Sequence, residues 1–134
     1  MANGERRADD EGKPNAKATP HALDLEERTA KFGEAVIRFA RGIPHDAVSV
    51  TLVSQLVRAA TSVGANYCEA DDAGSRKEFR HRISICRKEA REAKHWLRML
   101  VAADGRAREK AKPLWQEAKE LNLIFSAIFR NTKA

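Results

Sequence analysis

Apolar residues recur at alternating spacings of four and three along two long segments of this 134-residue chain. The first segment carries Phe79, Ile83, Cys86, Ala90, Ala93, Leu97 and Leu100. The second carries Ala107, Ala111, Leu114, Ala118, Leu121, Phe125 and Ile128. This heptad spacing gathers the apolar side chains of a helix into one seam, and it is typical of helices packed side by side. The two segments therefore predict long helices that pack against other helices.

Two shorter helices are predicted before them. One has an apolar face made of Leu25, Phe32, Val36 and Phe39, and the other has a face made of Leu52, Leu56, Ala59 and Val63. Amphipathic helices joined by short connections pack antiparallel to their neighbours. The sequence therefore predicts an all-α, up-down four-helix bundle over residues 23–134, because a chain with 43% hydrophobic residues can build one core of this size.

Local signals give the ends of the predicted helices. Asp24 and Ser75 each precede a glutamate by three residues, which is the spacing of a capping box at the start of the first and third helices. Residues 42–44 (GIP) end the first helix, and the second is predicted from about Ala47 to Cys68. Residues 104–105 (DG) end the third. Within the fourth segment, the helix either starts near Pro113 or kinks there.

Residues 1–22 are polar, have no apolar period and carry four basic and four acidic side chains, which predicts a disordered tail. The formal net charge of +6 therefore belongs to the bundle.

Cys68 and Cys86 are predicted to be about 15 Å apart along antiparallel helices, too far for a disulfide, so we expect two free thiols. With no signal peptide and no run of about 18 apolar residues, we expect a cytoplasmic protein outside the membrane.

Basic side chains follow one flank of the third helix. At about 100° per residue, a row of cations falls beside the apolar seam, with further basic residues near the start of that helix and in the second helix. Such a row can contact successive phosphates, which predicts nucleic-acid binding; the alternative is a solvated face with local Glu–Lys pairs. The candidate nucleic-acid-binding residues are Arg58, Arg76, Lys77, Arg80, Arg87, Arg91, Lys94 and Arg98.

Large apolar side chains also lie outside the seams of the third and fourth helices. A second apolar face favours burial against another subunit, and the alternative is a wide core face in a compact monomer. The residues predicted for an oligomer interface are Ile85, Trp96, Met99, Trp115 and Leu123.

Polar residues near the end of the second helix predict a structural network: Asn66 and Glu69 could bond to Lys88 or Arg91, with Glu92 as a further member. A functional site there is the alternative.

Two Glu-x-x-His pairs, at 78–81 and 92–95, match a di-iron spacing, but both lie on one helix and point away from its seam. We therefore expect no metal, no cofactor and no catalytic residue, since no nucleophile, phosphate-loop or Cys-x-x-Cys motif is present.

Several segments together resemble a known family. These are residues 55–70 (QLVRAATSVGANYCEA), 75–79 (SRKEF), 88–92 (KEARE) and 96–98 (WLR). They are similar to the bacterial four-helix-bundle family named after the protein encoded in intervening sequences of 23S ribosomal RNA genes. The resemblance runs in order from about residue 25 to residue 130.

The resemblance implies a left-handed up-down bundle that assembles as a homopentamer with a basic surface. A related branch serves as the accessory protein of diversity-generating retroelements, where it partners a reverse transcriptase and nucleic acid. The residues and the resemblance together predict a non-catalytic, oligomeric, basic scaffold that binds nucleic acid with little sequence specificity. The alternative is a protein-interaction module that docks a partner enzyme, such as a reverse transcriptase, through Ile85, Trp96 and Met99.

Overall fold

The computed structural model describes residues 24–133, so the tail predicted for residues 1–22 lies outside the described residues. Within that range the chain forms four α-helices and no strand, which confirms the all-α prediction. The helices are α1 (Leu25–Arg41), α2 (Ala47–Asp71), α3 (Arg76–Ala103) and α4 (Arg108–Asn131), with a 3₁₀ turn at Gly105–Ala107 leading into α4.

Each helix packs antiparallel to the one before it, and α1 packs against α4 to close the bundle. The cross-helix contacts show this register. Gly33 lies against Thr61, Arg58 reaches Glu89, and Asn122 of α4 donates to the carbonyl of Arg87 in α3. This is the up-down four-helix arrangement that the short connections predict.

The heptad seams form the core. The third-helix residues from Ile83 to Leu100 that the spacing selects are all fully buried, as are Ala118, Leu121 and Phe125 in α4. Phe79, Leu114 and Ile128 are partly buried and pack on the same core. Burial of these apolar side chains is the main source of stability, at about 25 cal/mol for each Å² removed from water.

Side-chain caps fix the starts of three helices. Asp24 accepts a hydrogen bond from the backbone N–H of Glu27, and Ser75 Oγ accepts one from Glu78 at 3.0 Å, so both predicted caps are confirmed. The Glu78 carboxylate reaches back to the N–H of Gly74 at 3.2 Å, one residue beyond the usual reciprocal partner. Asp46, which was not among the predicted caps, caps α2: its carboxylate accepts a hydrogen bond from the Ser49 N–H at 2.8 Å.

Two helix boundaries differ from the prediction. Helix α2 continues to Asp71, three residues beyond Cys68, because residues 69–71 contain no helix breaker before Gly74. Helix α4 begins at Arg108, so the alternative that it starts near Pro113 is wrong. Pro113 is exposed and costs α4 one hydrogen bond to the Glu109 carbonyl; the buried seam on the other side of the helix outweighs that loss.

Small residues near Gly64 let α1 and α2 approach closely. A methyl group at Gly64 would come within 3.2 Å of the Thr29 hydroxyl oxygen. Thr29 is buried, and its hydroxyl donates to the Leu25 carbonyl at 2.7 Å, so the close contact leaves this polar group satisfied.

Both cysteines are free, which confirms the prediction from helix register. Cys68 is exposed, whereas Cys86 is fully buried, with its Sγ 3.5 Å from the Val63 carbonyl oxygen. Burial raises the pKa of both thiols, and for Cys86 the pKa rises to about 12. A raised pKa disfavours the thiolate, which is the nucleophilic form of cysteine.

Candidate nucleic-acid interface

The predicted row of cations lies along the groove between α3 and α4. The Arg80 guanidinium is 3.7 Å from the centroid of the Phe129 ring, and its Nε donates to the Thr132 carbonyl at 2.7 Å. The Arg87 guanidinium is 4.3 Å from the same ring. A guanidinium over an aromatic face gains roughly 0.5–1 kcal/mol at an exposed site. Phe129 of α4 therefore holds two arginines of α3 in place.

A second aromatic ring, Trp115, lies beside cations two heptads away from Phe129 along α4. Lys94 of α3 and Lys119 of α4 place their ammonium groups 5.2 Å and 5.6 Å from the Trp115 ring centroid. Arg91 is exposed and lies one helical turn from both Arg87 and Lys94, so it belongs to the same row.

At the α3–α4 turn, Arg98 shares a pocket with two cations of α4, Arg108 and Lys112. Trp115 lines this pocket as well, which makes it continuous with the row. We call the combined surface the cationic face. Its members are Arg80, Arg87, Arg91, Lys94, Arg98, Arg108, Lys112 and Lys119.

None of the ion pairs between residues 24 and 133 includes a member of the cationic face. The local Glu–Lys pairing that would make this row an ordinary solvated surface is therefore absent from the described part of the chain. Eight like charges on one surface produce a positive potential that attracts anions.

Six acidic side chains between residues 24 and 133 form ion pairs, all with cations outside the cationic face. Arg28 of α1 contacts Glu117 and Glu120 of α4 at 2.7–2.9 Å. The hydrogen bonds that Arg28 donates to Glu117, together with the charges of Glu117 and Glu120, raise the pKa of Arg28 against the opposing effect of burial. Hydrogen bonds from Gln116 and Arg28 lower the pKa of Glu120.

The structure places Arg58 away from the cationic face. Its guanidinium contacts Glu89 at 3.3 Å and Glu92 at 2.9 Å on the opposite flank of α3. Slight burial acts to lower the pKa of Arg58, but the two carboxylates outweigh it and raise that pKa. Arg58, which was predicted to contact nucleic acid, is therefore paired with two carboxylates of the same chain. Arg76 and Lys77 are exposed in the first turn of α3 and extend the row at its far end.

The predicted polar network exists with a different partner. Asn66 Oδ1 accepts from Arg82 at 3.0 Å, and its amide nitrogen donates to the Ser62 carbonyl and hydroxyl. The predicted partners Lys88 and Arg91 are wrong, because the antiparallel register sets Asn66 opposite Arg82. Glu92 bonds to Arg58 instead, and Glu69 is exposed.

The five residues predicted for an oligomer interface do not share one surface. Ile85, Trp96 and Met99 are half-buried on the flank of α3 that carries Glu89 and Glu92. Trp115 lies under the cationic face, and Leu123 is 59% exposed on the outside of α4.

The two Glu-x-x-His pairs do not lie close to further side chains that could bind a metal with them. His81 and His95 are exposed, and the His95 ring packs against Trp96. No three His, Cys, Asp or Glu side chains in the described range are grouped so that they could hold a metal ion.

The family model for the 23S rRNA-intervening sequence protein matches residues 21–127, which is most of the chain. The chain belongs to this family. A solved structure from Bacteroides thetaiotaomicron, described as a protein of unknown function from the S23 ribosomal protein family, is also similar to it. The two chains are 25% identical, with a TM-score of 0.73, and the match covers 80% of this chain and 99% of the other. No curated protein matches this chain.

Three of the eight residues in this family member's cationic face were missed from the sequence. Arg108, Lys112 and Lys119 were not among the predicted contacts, and Phe129 was not recognised as a support for the arginines. A signal was available: positions 108, 112, 115, 119, 122, 126 and 129 alternate spacings of four and three beside the α4 seam and include no acidic residue.

Proposed function

We propose that this protein is a non-catalytic, oligomeric scaffold that binds nucleic acid through the cationic face with little sequence specificity. The observation that carries the proposal is the row of eight cations that lies on one groove without an acidic partner among the described residues. Two aromatic rings and one backbone carbonyl position four of these side chains before any ligand arrives. Pre-positioning reduces the entropy lost when phosphates bind.

The dimensions of the cationic face suit a nucleic-acid backbone. Arg80 and Arg98 are separated by 18 residues of one helix, which is about 27 Å along its axis. Lysine and arginine side chains over this length can neutralise several phosphates, and phosphate contacts carry no sequence information. Binding through this face therefore depends on charge and backbone shape.

Helix α2 supports the oligomeric part of the proposal. Between Ala47 and Cys68 its only charged residue is Arg58, and Val48 and Val50 are 61% and 51% exposed. By length and composition α2 also meets the criteria for a membrane-spanning helix, and 28% of its most apolar window is buried in the bundle. An uncharged outer face of this kind is typical of a contact between subunits. We place the assembly in the cytoplasm, where both free thiols would remain reduced.

Removing two exposed cations tests the proposal. The variant Arg91→Gln/Arg98→Gln removes charge from the cationic face, and neither side chain supports the core. We expect its affinity for a short DNA or RNA probe at low salt to fall at least about tenfold, because each lost cation leaves one phosphate without a counter-charge. The matched control, Arg38→Gln/Arg41→Gln, removes the same charge from α1 and should change affinity less than about twofold. Equal losses in the two variants would contradict the proposal.

Docking of a partner enzyme through Ile85, Trp96 and Met99 is the competing proposal. These side chains are half-buried within the single chain, so they offer a partner less apolar surface than the outer face of α2 does. Recovery of one partner protein from a lysate, insensitive to both nuclease and salt, would favour docking over nucleic-acid binding.

A further inference from the structure

The cationic face ends in a pocket at the α3–α4 turn that differs from the rest of the groove. Its volume is about 330 Å³, within the range of small-ligand pockets. Three cations line it, Arg98, Arg108 and Lys112, and no acidic residue does. Between the cations lies an apolar surface made of Leu97, Val101, Ala102 and Ala111, with the Trp115 indole as one wall.

This combination selects a particular ligand chemistry. A phosphate contact needs only cations. An apolar surface beside an indole ring, in contrast, is buried favourably only by a planar or apolar group. A duplex running along the groove keeps its bases stacked inside and could offer the pocket nothing but charge. A nucleotide with an unpaired base carries both a phosphate and a flat ring within one small unit.

We infer that this pocket receives one unpaired nucleotide of a bound strand, with its phosphate among Arg98, Arg108 and Lys112 and its base against Val101 and Trp115. The inference rests on the proposed function and adds a ligand class to it. The remaining cations of the face then hold the backbone that leads to the pocket. The protein therefore prefers strand ends and junctions to uninterrupted duplex.

The experiment compares two DNA probes of equal charge. One is a duplex with a short single-stranded overhang, and the other carries an abasic overhang of the same length. Base stacking on aromatic side chains predicts that the first probe binds at least about fivefold more tightly to the full chain. The Ala102→Phe variant fills the pocket without changing charge and should abolish this preference. Ala103→Phe is the matched control, because Ala103 is exposed on the same helical turn but does not line the pocket; it should retain the preference.

The outcomes separate this inference from the proposed function. Equal affinity for the two probes, or a preference that persists in Ala102→Phe, overturns the inference and leaves nucleic-acid binding intact. Failure of every probe to bind at low salt overturns both. A Trp96→Phe background isolates Trp115, whose fluorescence should change only with the overhang that carries bases; identical spectra with both probes contradict a base at the indole.

Discussion

The two flanks of α3 are built from similar charged residues and yet differ in what their charges contact. On the flank toward α2, Glu89 and Glu92 bind Arg58, and Arg82 binds Asn66. On the flank toward α4, arginines and lysines lie over Phe129 and Trp115 and contact no carboxylate in the described residues. Charges on one side of α3 therefore hold helices together, whereas those on the other side have no carboxylate partner among the described residues.

The largest expected effect is the loss of Arg58 from the paired flank. Glu89 is only 7% exposed, so Arg58→Ala leaves a nearly buried carboxylate without its cation. We expect the free energy of unfolding to fall by about 2–3 kcal/mol, measured by chemical denaturation. Nucleic-acid affinity should change less than about twofold.

The double variant Arg58→Met/Glu89→Leu provides the control for this prediction. It replaces both charges by apolar groups of similar size and should recover much of the lost stability. A loss below about 0.5 kcal/mol in Arg58→Ala would show that the paired flank does not hold the bundle together.

Alkaline pH is the next test, because it titrates two groups in the interior between α2 and α3, Tyr67 and Cys86. Burial raises the pKa of Cys86 from 9.0 to about 12 and that of Tyr67 from 10.0 to about 12. The unfolded chain releases these protons first, so stability is complete below pH 9 and declines as the pH rises toward 12.

We expect a loss of about 1–2 kcal/mol at pH 11, after allowance for the partial exposure of Tyr67. Cys86→Ala should flatten the decline, as measured by denaturation at a series of pH values. A stability that stays level from pH 8 to 11 in the parent protein would rule out this linkage.

Phe129→Leu tests the flank of α3 that faces α4. Leucine keeps most of the apolar contact but lacks the ring face on which Arg80 and Arg87 lie. We expect a loss of about 1 kcal/mol in stability, from two cation–π contacts, and a modest loss of nucleic-acid affinity as the arginines become mobile. Phe32→Leu, in the core of α1, is the control that should lower stability without changing affinity. An affinity unchanged in Phe129→Leu would argue against pre-positioning.

The smallest stability effect is expected for Arg91→Gln, since Arg91 is exposed on the cationic face. The free energy of unfolding should stay within about 0.5 kcal/mol of the parent. The slope of log affinity against log salt for duplex DNA should become shallower by about 0.9. A destabilised Arg91→Gln with an unchanged slope would reverse the roles that we assign to the two flanks.

Much of the fold could be predicted from the sequence because the heptad spacing acts within each helix. The buried seam from Ile83 to Leu100 and the caps at Asp24 and Ser75 depend on residues close in the chain. Pro113 suggested a helix start that is wrong, since the start of α4 at Arg108 depends on the packing of the whole helix. The features of the fold that depend on residues close in the chain were therefore the ones that the sequence predicted correctly.

The site could be predicted only in part because it depends on which helix lies beside which, and in what register. A wheel of α3 identifies the row from Arg80 to Arg98 but says nothing of Lys112 or Lys119 across the groove. Likewise, Arg58 looks free in the sequence until the antiparallel register brings Glu89 opposite. Pairwise contacts between helices decided both outcomes.

The salt dependence of nucleic-acid binding tests the central claim most directly. If the cationic face holds a backbone, log affinity for duplex DNA should fall linearly with log salt, with a slope between about −4 and −7 for up to eight neutralised phosphates. Failure to bind either duplex or single-stranded probes at about 50 mM salt, or a slope near zero, would contradict the account.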